Sequence, residues 1–139
     1  MMNFFKSIEN AKTGTSFDIH EVLPQLQWNQ DGLIPAIVQN IQSKEVQMMA
    51  WMNQEALLST LQTKDIWFWS RSRQKLWRKG ETSGHTQKLI EARADCDGDT
   101  LLLLVEQKGP ACHTNRPHCF YHRIDEKMLV VAESPIQTV

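Results

Sequence analysis

Ala36-Ile37-Val38-Gln39-Asn40-Ile41, Gln42-Ser43-Lys44-Glu45 and Val46-Gln47-Met48-Met49-Ala50-Trp51-Met52 are an apolar run, a polar break and a second apolar run. Both runs have strand length and the break has turn residues, so the spacing predicts a β-hairpin. Asn53 follows at once as a helix N-cap. Glu55 falls in the first turn of a segment, 54–62, along which Ala56, Leu57, Leu58 and Leu61 form an apolar stripe. Residues 66–70 are aromatic and strand-like. In 87–94, Leu89 points opposite to Lys88 and Ile90, the alternation of a half-buried strand. Leu101-Leu102-Leu103-Leu104-Val105 is continuously apolar, as in a strand covered on both faces. Gly109-Pro110 breaks it, and residues 119–124 predict one more strand. Upstream, residues 18–26 suit one or two helical turns around Pro24, and residues 1–16 read as a loosely attached arm. Trp28, Trp51, Trp67 and Trp69 are expected in the core. The sum is an α+β fold, mostly antiparallel sheet with one or two packed helices, with 1–30 as a lead-in and 31–139 as the single domain.

The chain has 139 residues, 41% hydrophobic and 22% charged, enough to bury one core without disulfides. A net charge of −1 gives no global pull toward nucleic acid or anionic membranes, so anion binding has to be local. No apolar run has the length of a membrane span, and the first residues lack a secretory signal. Three cysteines without a signal favour reduced thiols and a cytoplasmic location.

Those cysteines fall in the last third of the chain: Asp95-Cys96-Asp97-Gly98-Asp99, then Cys112, then Cys119. Thiolates suit zinc, and carboxylates suit magnesium, calcium or manganese. In an extended segment Asp95, Asp97 and Asp99 point one way and Cys96 the other, so one pentapeptide could serve a hard-metal and a soft-metal site. Three thiolates leave a tetrahedral zinc one ligand short, where a catalytic zinc holds water. That chemistry points to a metal-dependent hydrolase. A calcium loop starting at Asp95 fails because Thr100 stands where glycine is needed. A solvated acidic turn remains the plain alternative. Cys112 and Cys119 lie in a polar, loop-like stretch and not in an apolar run, which favours ligands over core, although their spacing is not that of a zinc ribbon. His113 and His118 are candidates for a fourth ligand or a proton shuttle, with His113 the better placed for acid–base work.

Residues 70–85 carry Arg71, Arg73, Lys75, Arg78 and Lys79 with Trp77 and several hydroxyls. Arginine forks and hydroxyls recognise phosphate, and an indole face can stack on a purine. A phosphorylated nucleotide suits the segment. Single-stranded RNA also suits it, and a plain solvated hairpin would have the same composition.

Taken together, Met49-Ala50-Trp51-Met52-Asn53-Gln54-Glu55-Ala56-Leu57, Trp69-Ser70-Arg71-Ser72-Arg73, Leu76-Trp77-Arg78-Lys79-Gly80-Glu81-Thr82-Ser83-Gly84, Asp95-Cys96-Asp97-Gly98-Asp99 and Gly109-Pro110-Ala111-Cys112-His113-Thr114, leading to Cys119-Phe120, resemble the phosphoribosyl-AMP cyclohydrolase family of histidine biosynthesis. The likeness runs from about residue 32 to residue 124. His85 and Asn115 depart from the family's usual asparagine and glycine. The resemblance implies an intertwined homodimer with zinc between subunits, on Cys96 of one chain and Cys112 with Cys119 of the other. It also implies magnesium on Asp95, Asp97 and Asp99, and a stand-alone form of the enzyme. The implied reaction opens the N1–C6 bond of the adenine ring of 1-(5-phosphoribosyl)-AMP with a zinc-activated water. In it His113 moves protons, Arg71, Arg73, Lys75 and Arg78 grip phosphates, and Trp77, Glu81, Thr82 and Ser83 bind ribose or base.

Two rivals remain. A zinc nucleobase deaminase does related chemistry, but no histidine here is followed two residues later by glutamate, as its signature requires. A structural zinc module binding single-stranded RNA through residues 71–79 would close its fourth zinc position with His113 or His118.

Overall fold

The computed structural model describes residues 3–136. Its elements are α1 (Phe4–Ser7), α2 (Ile19–Val22) running into a 3-10 turn (Leu23–Gln25), β1 (Ile34–Asn40), β2 (Val46–Met52), α3 (Gln54–Thr63), β3 (Trp67–Ser70), β4 (Lys75–Arg78), β5 (Gln87–Ala94), β6 (Leu101–Gln107), β7 (His122–Ile124) and β8 (Leu129–Val131).

The expected hairpin is β1 with β2, antiparallel from Ile34 opposite Met52 to Val38 opposite Met48. Its turn is closed by the Asn40 side chain, whose Oδ1 accepts from the Gln42 and Ser43 amides at 2.8 and 3.1 Å. Asn53 caps α3 by accepting from the Ala56 amide at 2.8 Å, a contact worth about 1 kcal/mol at such positions. Ala56, Leu57 and Thr60 form the buried face of α3, with Leu58 and Leu61 partly buried against the core. The Thr60 hydroxyl accepts from the Trp67 amide at 2.9 Å and so fixes where β3 begins.

The leucine run is the spine of the molecule. The main sheet has the order β2-β1-β6-β5, which places β6 inside it with neighbours on both edges. Leu101, Leu103, Leu104 and Val105 are buried, as a strand in that slot requires. One pairing differs from the antiparallel expectation: β6 runs parallel to β1, Ala36 opposite Leu101 through Asn40 opposite Val105. The chain leaves β2, passes through α3, the β3–β4 hairpin and β5, and returns to fill the gap beside β1. β5 closes antiparallel on the far side, with a bulge between Leu89 and Glu91.

The termini also differ from expectation. The N-terminal arm is anchored, because Phe5 packs on the core and its ring covers Gly98. Gly98 is buried at φ +73, and a Cβ there would sit 2.3 Å from two Phe5 ring atoms. The last predicted strand starts at His122 and not at 119, because the Cys119 amide is drawn to the Gln47 carbonyl at 2.7 Å. It pairs with β8, which the sequence reading omitted. Trp28 and Trp67 are partly buried against the core, whereas Trp51 and Trp69 line an open groove with Arg71. Among the described residues no helix is long and apolar enough to cross a membrane.

Candidate active site

The β3–β4 hairpin, the turn after it and the 109–119 loop meet to form a cleft of about 310 Å³. Arg73, Trp77, Arg78, Glu81, Thr82 and Ser83 line one wall, and Cys112 and His113 line the other. Arg71 lies outside it: its guanidinium sits 5.0 Å from the Trp51 ring centre, in the neighbouring groove with Trp69. Lys75 is exposed and lines neither cavity. The cations of this stretch are therefore split, because the tight reversal between β3 and β4 sends successive side chains different ways.

The turn after β4 is built by two of its own polar side chains. Glu81 accepts from the Arg78 amide at 3.1 Å, and Ser83 accepts from the His85 amide at 3.1 Å. His85 then covers Gly109, where a Cβ would lie 2.6 Å from the imidazole Cδ2. That close approach packs the turn against the start of the cysteine loop.

Cys112 is only 5% exposed, and Cys119 is half-buried beside it. Burial would raise the Cys112 thiol. The Thr114 hydroxyl, donating to Sγ at 3.1 Å, the Thr114 amide, Cys119 and the Lys79 ammonium outweigh that and hold it below the ordinary cysteine range. Burial, followed by the neighbouring Cys112, pushes Cys119 up to about 11. Two sulfurs competing for one negative charge fit a soft dication, which would let both ionise.

Lys79 stands apart from the other cations of the 70–85 stretch. Its side chain turns inward and Nζ donates to the Ala111 carbonyl at 2.5 Å. Burial pulls the ammonium below the usual lysine range, against the opposite pull of Cys119 and Cys112. No local pattern could have revealed this, since the contact joins residues 79 and 111.

The two candidate histidines separate clearly. His113 is exposed in the cleft. His118 is committed elsewhere: Nε2 lies 3.3 Å from Glu133 and 3.9 Å from Glu45, and Nδ1 accepts from the Phe120 amide at 3.1 Å. Asn115 has a left-handed backbone, φ 67, and its side chain donates to the Ile136 carbonyl at 2.5 Å, tying the C-terminal segment to the loop.

Cys96, Asp95, Asp97 and Asp99 are exposed in the 95–100 turn, at the other end of β6. The Asp99 amide donates to Asp95 Oδ1 at 3.0 Å. Desolvation works to raise Asp95, but its hydrogen bonds with the Asp99 side chain and with nearby amides hold it low. The same side-chain bond, shared with Asp95, holds Asp99 above the ordinary carboxylate range. Carboxylates close enough to share a proton fit a hard dication. Among the described residues of one chain, no three His, Cys, Asp or Glu side chains converge as a metal site.

A basic cleft with Cys112 in its wall and Cys119 beside it has the chemistry of a site for a phosphorylated small molecule. The family model of phosphoribosyl-AMP cyclohydrolase matches residues 48–121. The chain is 57% identical over 131 residues to the phosphoribosyl-AMP cyclohydrolase of Alkalilimnicola ehrlichii, covering 94% of this chain and 92% of that one. It is 55% identical over 130 residues to phosphoribosyl-AMP cyclohydrolase 2 of Pseudomonas fluorescens, covering 94% and 88%. With the enzyme of that name from Hydrogenovibrio crunogenus it shares 54% over 132 residues, covering 95% and 90%. The chain belongs to the phosphoribosyl-AMP cyclohydrolase family, hydrolases of histidine biosynthesis.

Proposed function

We propose that this chain adds water to C6 of the adenine ring of 1-(5-phosphoribosyl)-AMP and breaks the N1–C6 bond. The observation that carries the reading is the single cleft in which Arg73 and Arg78 face Cys112 and His113. Arg73 and Arg78 bind phosphate there, Thr82 and Ser83 offer hydroxyls to ribose, and Trp77 offers a ring face to the base. Arg71 serves a phosphate from the adjoining groove, and Lys75 adds only to the general field. His113 takes a proton from the attacking water and delivers one to N1 as that nitrogen leaves. The water oxygen stays on C6, which becomes a carboxamide carbon. The product is the phosphoribosylformimino-aminoimidazole carboxamide nucleotide.

Cys112 and Cys119 would hold zinc together with Cys96 of a second copy. Zinc, when bound, supplies Lewis-acid activation of water at neutral pH. The strand between the ligands supports the sharing. Cys96 precedes β6 and Cys112 follows it, and seven extended residues rise roughly 20 Å. The Cys119 amide bonds to Gln47 at that far end, whereas the Gly98 carbonyl beside Cys96 bonds to the Gln27 amide. A second copy in a homodimer would close the gap that one chain leaves. Asp95, Asp97 and Asp99 would hold magnesium and with it neutralise phosphate charge.

The deciding experiment is ring opening of phosphoribosyl-AMP by the purified protein with zinc and magnesium, after chelation, and after zinc is restored. Turnover that disappears and returns is expected. A zinc-loaded dimer without turnover overturns the reading, and salt-dependent binding of single-stranded RNA by that protein would favour the structural zinc module.

A further inference from the structure

We infer that Lys79 is a positioning residue for the cysteine pair: it ties the Cys112 loop to the β3–β4 hairpin and sets a fixed positive charge beside both sulfurs. The inference rests on the reading that Cys112 and Cys119 hold zinc.

The placement is rigid at both ends of the side chain. The Lys79 amide donates to the Ile66 carbonyl at 2.8 Å, which fixes the backbone where β4 ends. At the other end Nζ donates to the carbonyl of Ala111, itself buried and next to Cys112. The Trp77 ring, 5.9 Å from Nζ, flanks the ammonium within the cleft.

The electrostatics say what the charge is for. Among the described residues no carboxylate pairs with Lys79. A half-buried cation at a cleft wall loses part of its hydration, and one carbonyl hydrogen bond offsets only part of that loss. The acidic groups in its surroundings are the thiols of Cys119 and Cys112. Three thiolates around a dication carry one net negative charge, and an ammonium beside them neutralises it. Groups just outside a metal's own ligands commonly set its affinity in this way.

The test uses the full chain and reads zinc affinity by competition with a chromophoric chelator. Lys79→Met keeps the stem and removes both the charge and the donor. It is expected to weaken zinc binding by about tenfold or more while the zinc-free protein keeps its fold. Lys79→Arg, which keeps both, is expected to recover most of the affinity. Amide exchange at residues 111–119 should quicken in Lys79→Met and not in Lys79→Arg. Zinc affinity within twofold of the parent in a folded Lys79→Met protein would overturn the inference. If that variant does not fold, the Arg variant decides: parental affinity sustains the role of the charge, and a loss as large as the Met substitution was expected to cause overturns it. Cys112→Ala in the same assay separates the two levels. Zinc lost there but unchanged in Lys79→Met rejects the lysine's role alone, and zinc retained in Cys112→Ala rejects the ligand reading beneath it.

Discussion

The turn that enters β6 and the loop that leaves it both carry thiols, yet they are built on opposite plans. In the exit loop Cys112 is buried, its sulfur accepts from Thr114, and Lys79, His85 and Asn115 bind the loop to its surroundings. In the entry turn Cys96 and three aspartates stand exposed, and the one buried anchor is Gly98 under Phe5. In the proposed dimer the exit loop is the half of the site that one chain already organises. The entry turn presents its groups outward, and in the proposed dimer they would meet the other half of the site on the second copy.

The sharpest way to break this contrast is to remove a thiol at each end. Cys112→Ala and Cys96→Ala should each abolish stoichiometric zinc and turnover, read by metal content and ring-opening rate. Mixed after dissociation, the two inactive proteins should regain about a quarter of parental activity, because half of randomly paired dimers then hold one intact site. No recovery would place all three thiols on one chain. His113→Ala, an exit-loop change that spares the sulfurs, should lower turnover about a hundredfold with zinc content unchanged. An unaltered rate would remove its proton-transfer role. Asp95→Asn at the entry turn should weaken manganese binding about tenfold, followed by electron paramagnetic resonance, and leave zinc stoichiometry unchanged. Smallest in functional terms is Gly98→Ala. Its left-handed backbone and the Phe5 ring should cost about 2 kcal/mol in denaturant unfolding, with the exit loop undisturbed.

What the sequence revealed follows the range of the interactions concerned. Asn53 and the stripe along α3 are local signals, and they located that helix to within one residue of its end. The alternation around Leu89 located β5, and the leucine run announced a strand enclosed on both faces. The parallel partnership of β1 and β6 was not legible, since nothing near Ala36 specifies Leu101. The same holds for the cleft. Cations at 71, 73, 75 and 78 look equivalent in a list, but hairpin geometry puts Arg73 and Arg78 in the cleft and Arg71 against Trp51. Lys79 declared itself only when residue 111 came within reach, and His118 was withdrawn by Glu133 from far along the chain.

The parallel pairing also sets the order in which the molecule can assemble. The β1–β2 hairpin and α3 are contiguous in the chain and can form early, whereas β6 must close a long loop before it reaches β1. Closing that loop costs entropy that no local contact offsets beforehand, so insertion of the leucine strand is the slow event expected on the folding path. The entry turn and the exit loop flank that strand and take their positions only after it has docked. Zinc added to refolding protein should therefore leave the rate of the main phase unchanged and stabilise only its product.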